Sequence, residues 1–213
     1  MLRYDTVGKV WRDVPGTGAL ARTLIDAGAP VDGRPGDRET PLITAASYGD
    51  VEVAEVLIAA GANLDATAAA DSGGVPGGTA LRHAAVFGMT GVVDVLARAG
   101  ARVDGLAEAA AVGDITGWLQ VSVQGVSVQD VSVQDVSMHD VSVQEKVRAL
   151  VMAADHERLD VIDQLLLAGT PIDAADALWG RQALRLATTN GRMASVRHLL
   201  ARGADPSHVQ ARL

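Results

Sequence analysis

Five histidines, His83, His139, His156, His198 and His208, are the side chains best suited to general acid–base work or to holding a metal. Zinc chemistry needs them paired at helical spacing, as in HxxxH or HExxH, with a carboxylate close by. No two of these histidines have that spacing, and no carboxylate motif gathers round them. His83 reads instead as a packed, hydrogen-bonded side chain. The chain has no cysteine, which excludes a thiol nucleophile, thiolate zinc sites and disulfides. A GxSxG elbow is absent too, and no set of nucleophile, base and orienting group can be assembled. The expectation is a protein that is not an enzyme, with no catalytic residue, no metal and no cofactor.

Two further stretches invite a chemical reading. GGVPGGT, residues 73–79, places Gly73 and Gly78 at the interval of a phosphate-binding loop, with Thr79 following. It lacks the lysine, and no strand precedes it. Asp130, Asp135, Asp140 and Glu145 recur every five residues. A calcium loop, however, needs glycine and densely alternating oxygen ligands. Solvated charges fit that pattern better.

The elements that position these residues come from a chain of 213 residues, long enough for a substantial core. Its hydrophobic fraction is 48% but its aromatic fraction is 3%, so the core must be built from Ala, Val and Leu. Net charge is −8, and no basic run occurs, which disfavours a phosphate backbone as partner. MLRYDTVGKVWRDVPG at the start lacks the apolar stretch of a secretory signal. No apolar run reaches the roughly 18 residues of a membrane span. These observations predict a cytoplasmic protein that touches neither membrane nor nucleic acid.

Internal repetition organises the chain. TAASYGDVEVAEVLIAAGANLD (44–65), HAAVFGMTGVVDVLARAGARVD (83–104), MAADHERLDVIDQLLLAGTPID (152–173) and LATTNGRMASVRHLLARGADPS (186–207) align without a gap. A weaker copy runs from Trp11 to Asp32, and a degenerate one, AEAAAVGDITGWL, carries Gly113 in register with Gly49 and Gly88. Block starts at 11, 44, 83, 152 and 186 are 33, 39, 69 and 34 residues apart, and the interval of 69 leaves room for two units.

TPLITAA at 40–46, TALRHAA at 79–85, RALVMAA at 148–154 and QALRLAT at 182–188 each precede a turn, a second apolar stretch and an AGANLD-like ending. The pattern resembles the ankyrin repeat, and a period near 33 residues supports this. What the resemblance implies is an all-α solenoid of about six helix-turn-helix units. Their approximate bounds are 8–36, 37–75, 76–105, 106–120 (degenerate), 146–178 and 179–213, within one domain spanning 1–213. The residues support such units independently. Thr40 suits an N-cap, with Pro41 at the first helical position. Leu24, Leu57, Leu96, Leu165 and Leu199 share one position in the second helix, which only neighbouring units can bury. Departures from the pattern matter as well. Arg12 and Asp13 replace an Ala–Ala pair in the first unit. Glu157 stands where a turn glycine belongs, and Arg148 and Gln182 replace a capping Thr. A less stable C-terminal half is expected.

Residues 121–145 read VSVQG VSVQD VSVQD VSMHD VSVQE, a five-residue word inserted where the second helix of unit four should continue. The favoured reading is a tolerated surface loop. A β-hairpin or arch is the second. Its weakness is that each step of five turns the valines to the opposite face. A pentapeptide coil with Val123, Val128 and Val133 inward is the third.

Family members commonly bind proteins on a concave face formed by the turns and the exposed side of the first helices. There the residue after Ala–Ala–x is Tyr48 in one unit and Phe87 in the next, an aromatic pair suited to anchor a partner. Arg38, Arg82, Arg181 and Arg185 are expected to rim that face, and Trp179 to be a second anchor. The long turn 66–78 is either a finger over a partner or, from its Ala, Gly and Ser content, a flexible linker. The function expected is a monomeric protein–protein interaction module whose partner is another protein. The alternatives are a small-molecule sensor or enzyme accessory protein with a cavity at His83 or Trp118, and a self-assembling protein that polymerises through the pentads.

Overall fold

A computed structural model describes residues 16–121, 136–137 and 141–209. Ten α-helices lie among them, in two compact units that divide after Val103.

In the first unit α1 is Thr17–Asp26, α2 Pro41–Tyr48, α3 Val51–Ala59, α4 Ala80–Val86 and α5 Thr90–Arg98. Helices α2 and α4 pack side by side in one layer, and α1, α3 and α5 form the second. Short polar residues start three of these helices. Thr40 Oγ1 accepts the Ile43 N–H, Thr79 Oγ1 accepts that of Arg82, and Asp50 Oδ1 accepts that of Val53. Each bond satisfies a donor that the first helical turn leaves unpaired. Ala45, Ala46, Ala84 and Ala85 are buried, so paired small side chains let α2 and α4 approach closely.

Leu57 and Leu96 are buried as the repeat predicts, but Leu24 is 52% exposed. The equivalence of α1 with α3 and α5 holds; its burial does not. Among the described residues α1 packs on α3, and it does so through Gly18, where a Cβ would stand 3.0 Å from Glu52 Cβ. Leu20 and Leu24 lie away from that contact and stay exposed. The expected first helix around Arg12 and Asp13 lies outside the described residues.

In the second unit α6 is Leu106–Val112, α7 Val143–Asp155, α8 Leu159–Leu167, α9 Ala183–Thr189 and α10 Met193–Ala201. Helices α6, α7 and α9 form one layer, with α8 and α10 behind it. Where a second helix would follow α6, the chain makes a 3-10 turn, Thr116–Trp118, and enters β1, Gln120–Val121. Strand β1 pairs antiparallel with β2, Val136–Ser137, so the pentad segment leaves and returns at one place. Residues 122–135 and 138–140, on which the three readings of the pentads turn, lie outside the described residues. Helix α6 nevertheless packs directly on α7, with residues 113–142 between them in sequence. Arg158 stabilises this junction, its Nε donating to the Ala111 carbonyl at 2.8 Å.

Gln182 at the start of α9 makes no side-chain cap, as its replacement of Thr implies, but Arg148 does not mark a helix start. Helix α7 begins five residues before Arg148, inside the last pentad word. Ser142 Oγ accepts the Glu145 N–H at 3.2 Å, and the Glu145 carboxylate accepts the Ser142 N–H at 3.0 Å. This reciprocal capping box replaces the missing threonine. Glu157 does occupy the turn-glycine position, at φ 55.

Candidate functional site

The surroundings of three of the five histidines, His83, His156 and His198, are described. His83 is fully buried on α4; its Nε2 accepts the Val75 N–H at 3.0 Å, and its Nδ1 lies 2.9 Å from the Thr79 carbonyl. An Nε2 that accepts an amide proton leaves the ring proton on Nδ1, where it donates to Thr79. His156 is buried, and His198 Nε2 is hydrogen bonded to Asp163 Oδ1 at 2.8 Å. Among the described residues no group of three His, Asp or Glu side chains could hold a metal. His139 lies outside the described residues.

The glycine-rich stretch therefore folds round a histidine. Gly74 and Gly78 lie against the imidazole; a Cβ at Gly74 would stand 3.0 Å from His83 Nε2, and one at Gly78 3.2 Å from its Cε1. The turn is pinned elsewhere by Ala68 N–H to the Gly78 carbonyl, by Ala69 N–H to the Arg38 carbonyl, and by an Arg38–Asp71 ion pair at 3.0 Å. Its composition suggests a loose linker, but its backbone is tied down at several points. The ion pair itself is exposed and contributes at most about 1 kcal/mol.

Of the predicted partner-binding residues in the first unit, Tyr48 and Phe87 end neighbouring helices, α2 and α4. Tyr48 is 40% exposed although Leu42, Ile43 and Ala46 of the same helix are wholly buried. Phe87 is half-buried, its ring tilted against His83 with centroids 6.2 Å apart. Phe87 thus covers the histidine that holds the long turn, and Tyr48 is the more accessible of the two. Arg38 pairs with Asp71, and Arg82 lies exposed on α4.

In the second unit the structure joins Trp179 and Arg181, and adds a residue that spacing did not reveal. The Arg181 guanidinium sits 4.8 Å from the Trp179 ring centroid, and that of Arg148, from α7, at 5.9 Å. Such stacking attracts a cation to the electron-rich ring face. Trp179 remains 39% exposed beside Leu178, 57% exposed. Arg185 is exposed in the first turn of α9, directly after this hairpin.

Asp176 builds the hairpin tip. Its buried carboxylate accepts the N–H groups of Leu178 (3.0 Å), Trp179 (2.9 Å) and Arg181 (2.9 Å). Gln144 Oε1 takes the Ala177 N–H at 3.0 Å, and Gln182 Nε2 donates to the Asp173 carbonyl at 2.8 Å. The tip is fixed before any partner arrives, which lowers the ordering cost of binding. Asp176 had one sequence signal, an Asp opening a turn that ends on Gly180.

With both layers in view, comparison with known proteins gives a direct result. Residues 16–105 match the family model for ankyrin repeats (3 copies). Residues 16–105 are ankyrin repeats, and the described residues have the all-α repeat fold that the blocks predict. No curated protein matches it. Ankyrin repeats generally mediate protein–protein interaction. Among the described residues no helix is long and apolar enough to cross a membrane.

Proposed function

We propose that this chain is a non-catalytic docking module that binds a protein partner on the face formed by its turns and first helices, the concave face of an ankyrin stack. The binding residues are Tyr48, Phe87, Arg38 and Arg82 in the first unit, and Trp179, Arg181 and Arg185 in the second. The observation that carries this reading is Tyr48. In a chain with six aromatics, one stands 40% exposed at the end of a helix whose other large side chains are buried. Aromatic anchors of this kind dominate interface energetics. The net charge of −8 supports a protein partner over a nucleic acid, and the module acts as a cytoplasmic monomer.

Affinity capture from cell lysate tests the reading, comparing wild type with Tyr48→Ala/Phe87→Ala after circular dichroism has shown that the variant folds. A protein retained by wild type and lost by the variant is the expected result. Retention of the same proteins by both would overturn the assigned face. Capture of none by either would overturn the module itself.

A further inference from the structure

Charge is unevenly distributed along this acidic chain. Residues 177–204 contain five arginines and not one Asp or Glu, within a protein of net charge −8. Two of the five face carboxylates at one end of the window: Arg192 Nε lies 3.4 Å from Asp155, and Arg202 Nη2 2.6 Å from Asp163. Arg181 and Arg185 lie at the other end of the window, at the Trp179 hairpin and just after it. Arg148 joins them from α7. Its Nε is buried with no hydrogen-bond partner, and its charge acts on Glu145, three residues back on the same helix. The acidic residues nearest in sequence are already engaged. Asp176 takes three backbone N–H groups, Glu145 caps α7, and Asp173 accepts the Asp205 N–H at 3.0 Å.

We propose that Trp179, Leu178, Arg148, Arg181 and Arg185 form a docking site for an acidic segment of a protein partner, deepening the reading above, on which it rests. A guanidinium over an indole ring sets positive charge beside an exposed apolar surface, and carboxylates are the anions that guanidinium N–H groups recognise best. The exposed edge of Trp179 and the Leu178 side chain take an apolar side chain that alternates with those carboxylates. The preformed tip holds the aromatic in place, and the arginine-rich stretch 177–204 supplies complementary charge.

The test is fluorescence anisotropy of the full chain with a fluorescein-labelled peptide alternating Glu and Leu. The same peptide with Lys for Glu and a labelled single-stranded oligonucleotide serve as comparators. The acidic peptide binds, and the lysine peptide does not. Arg148→Ala and Trp179→Ala each weaken binding by roughly tenfold or more, the loss expected of one charge-assisted contact or one buried anchor. Arg185→Glu, a change at an exposed helical position that leaves the fold intact, does the same. Arg197→Ala, on α10, leaves affinity unchanged. Equal affinity in the Arg185→Glu and Arg148→Ala proteins would overturn the site. So would tighter binding of the oligonucleotide, or equal binding of the lysine peptide. A captured protein that depends on Tyr48 but ignores Arg185→Glu would overturn this site and leave the docking module standing. Specific binding of the acidic peptide with no protein captured by wild type would sink the module and retain the site.

Discussion

The Val75 N–H donates to His83 Nε2 across 3.0 Å, tying the long turn between α3 and α4 to the helix that follows it. The bond uses a fully buried side chain, and two glycines let the backbone close on the ring. Replacing His83 with Ala removes a buried ring and leaves the Val75 N–H without its partner. The expected cost is about 2–4 kcal/mol, from cavity and orphaned donor together. Amide exchange at Val75 should accelerate more than in α2 or α4. Unchanged exchange at Val75 would show that the imidazole does not hold the turn.

A second prediction concerns the start of α7. Ser142→Ala should lower stability by about 1 kcal/mol, the usual value of an N-cap side chain. Acidity reports on the same device. The Ser142 hydroxyl, and after it the Ser142 N–H, hold the Glu145 carboxyl below its ordinary value of 4.5. A group whose folded value is lowered stabilises the fold fully above its unfolded value, and that contribution disappears as pH falls through the folded value. The gap in Tm between wild type and Glu145→Ala should therefore be open at neutral pH and narrow as the medium is acidified below about 4.5. A gap constant across that range would exclude the ionised carboxylate from the cap.

The aspartates that close the repeat blocks carry a third prediction. Asp32 accepts the Asn63 N–H at 2.8 Å, Asp65 that of Arg102 at 2.9 Å, and Asp173 that of Asp205 at 3.0 Å. Each links a hairpin to the equivalent hairpin of the next repeat within its unit. Asp65→Ala and Asp173→Ala should each cost about 1 kcal/mol in denaturant titration, whereas Asp→Asn, which keeps an acceptor oxygen, should cost less. Equal losses for Ala and Asn would mean that charge, and not the hydrogen bond, matters there.

These cases show what the sequence made legible. Threonine caps at Thr40 and Thr79, buried Leu57, Leu96, Leu165 and Leu199, and the turn glycines follow from local rules, and the structure has all of them. The aspartate ladder was written in the same blocks but joins residues 31 to 37 positions apart, so no local pattern announces it. Ser142 and Glu145 were hidden because the word that contains them repeats as low-complexity sequence. Composition also misjudged the long turn, since Gly and Ala content does not register a buried imidazole waiting beneath it. At the candidate site Trp179 and Arg181 were visible by type and position. Arg148 lies on a different helix and meets the ring only after folding.

Glu157 offers the sharpest test, because two opposing effects meet in one residue. At φ 55 its backbone adopts the left-handed conformation, the only non-glycine among the described residues with positive φ. This costs about 1 kcal/mol relative to Gly, since a Cβ there crowds the backbone. Its carboxylate in turn accepts the Ala194 N–H at 3.0 Å, at the start of α10, where a negative group also meets the positive end of the helix dipole. Glu157→Gly removes strain and cap together, so the two changes should nearly cancel and stability should move little. Glu157→Ala keeps the strained conformation and loses the cap, and should destabilise by about 1 kcal/mol. Chemical denaturation of the three proteins would order them with Ala lowest. If Ala equals wild type, the carboxylate contributes nothing at α10; if Gly is as low as Ala, the left-handed turn carries no strain for Glu157 to offset.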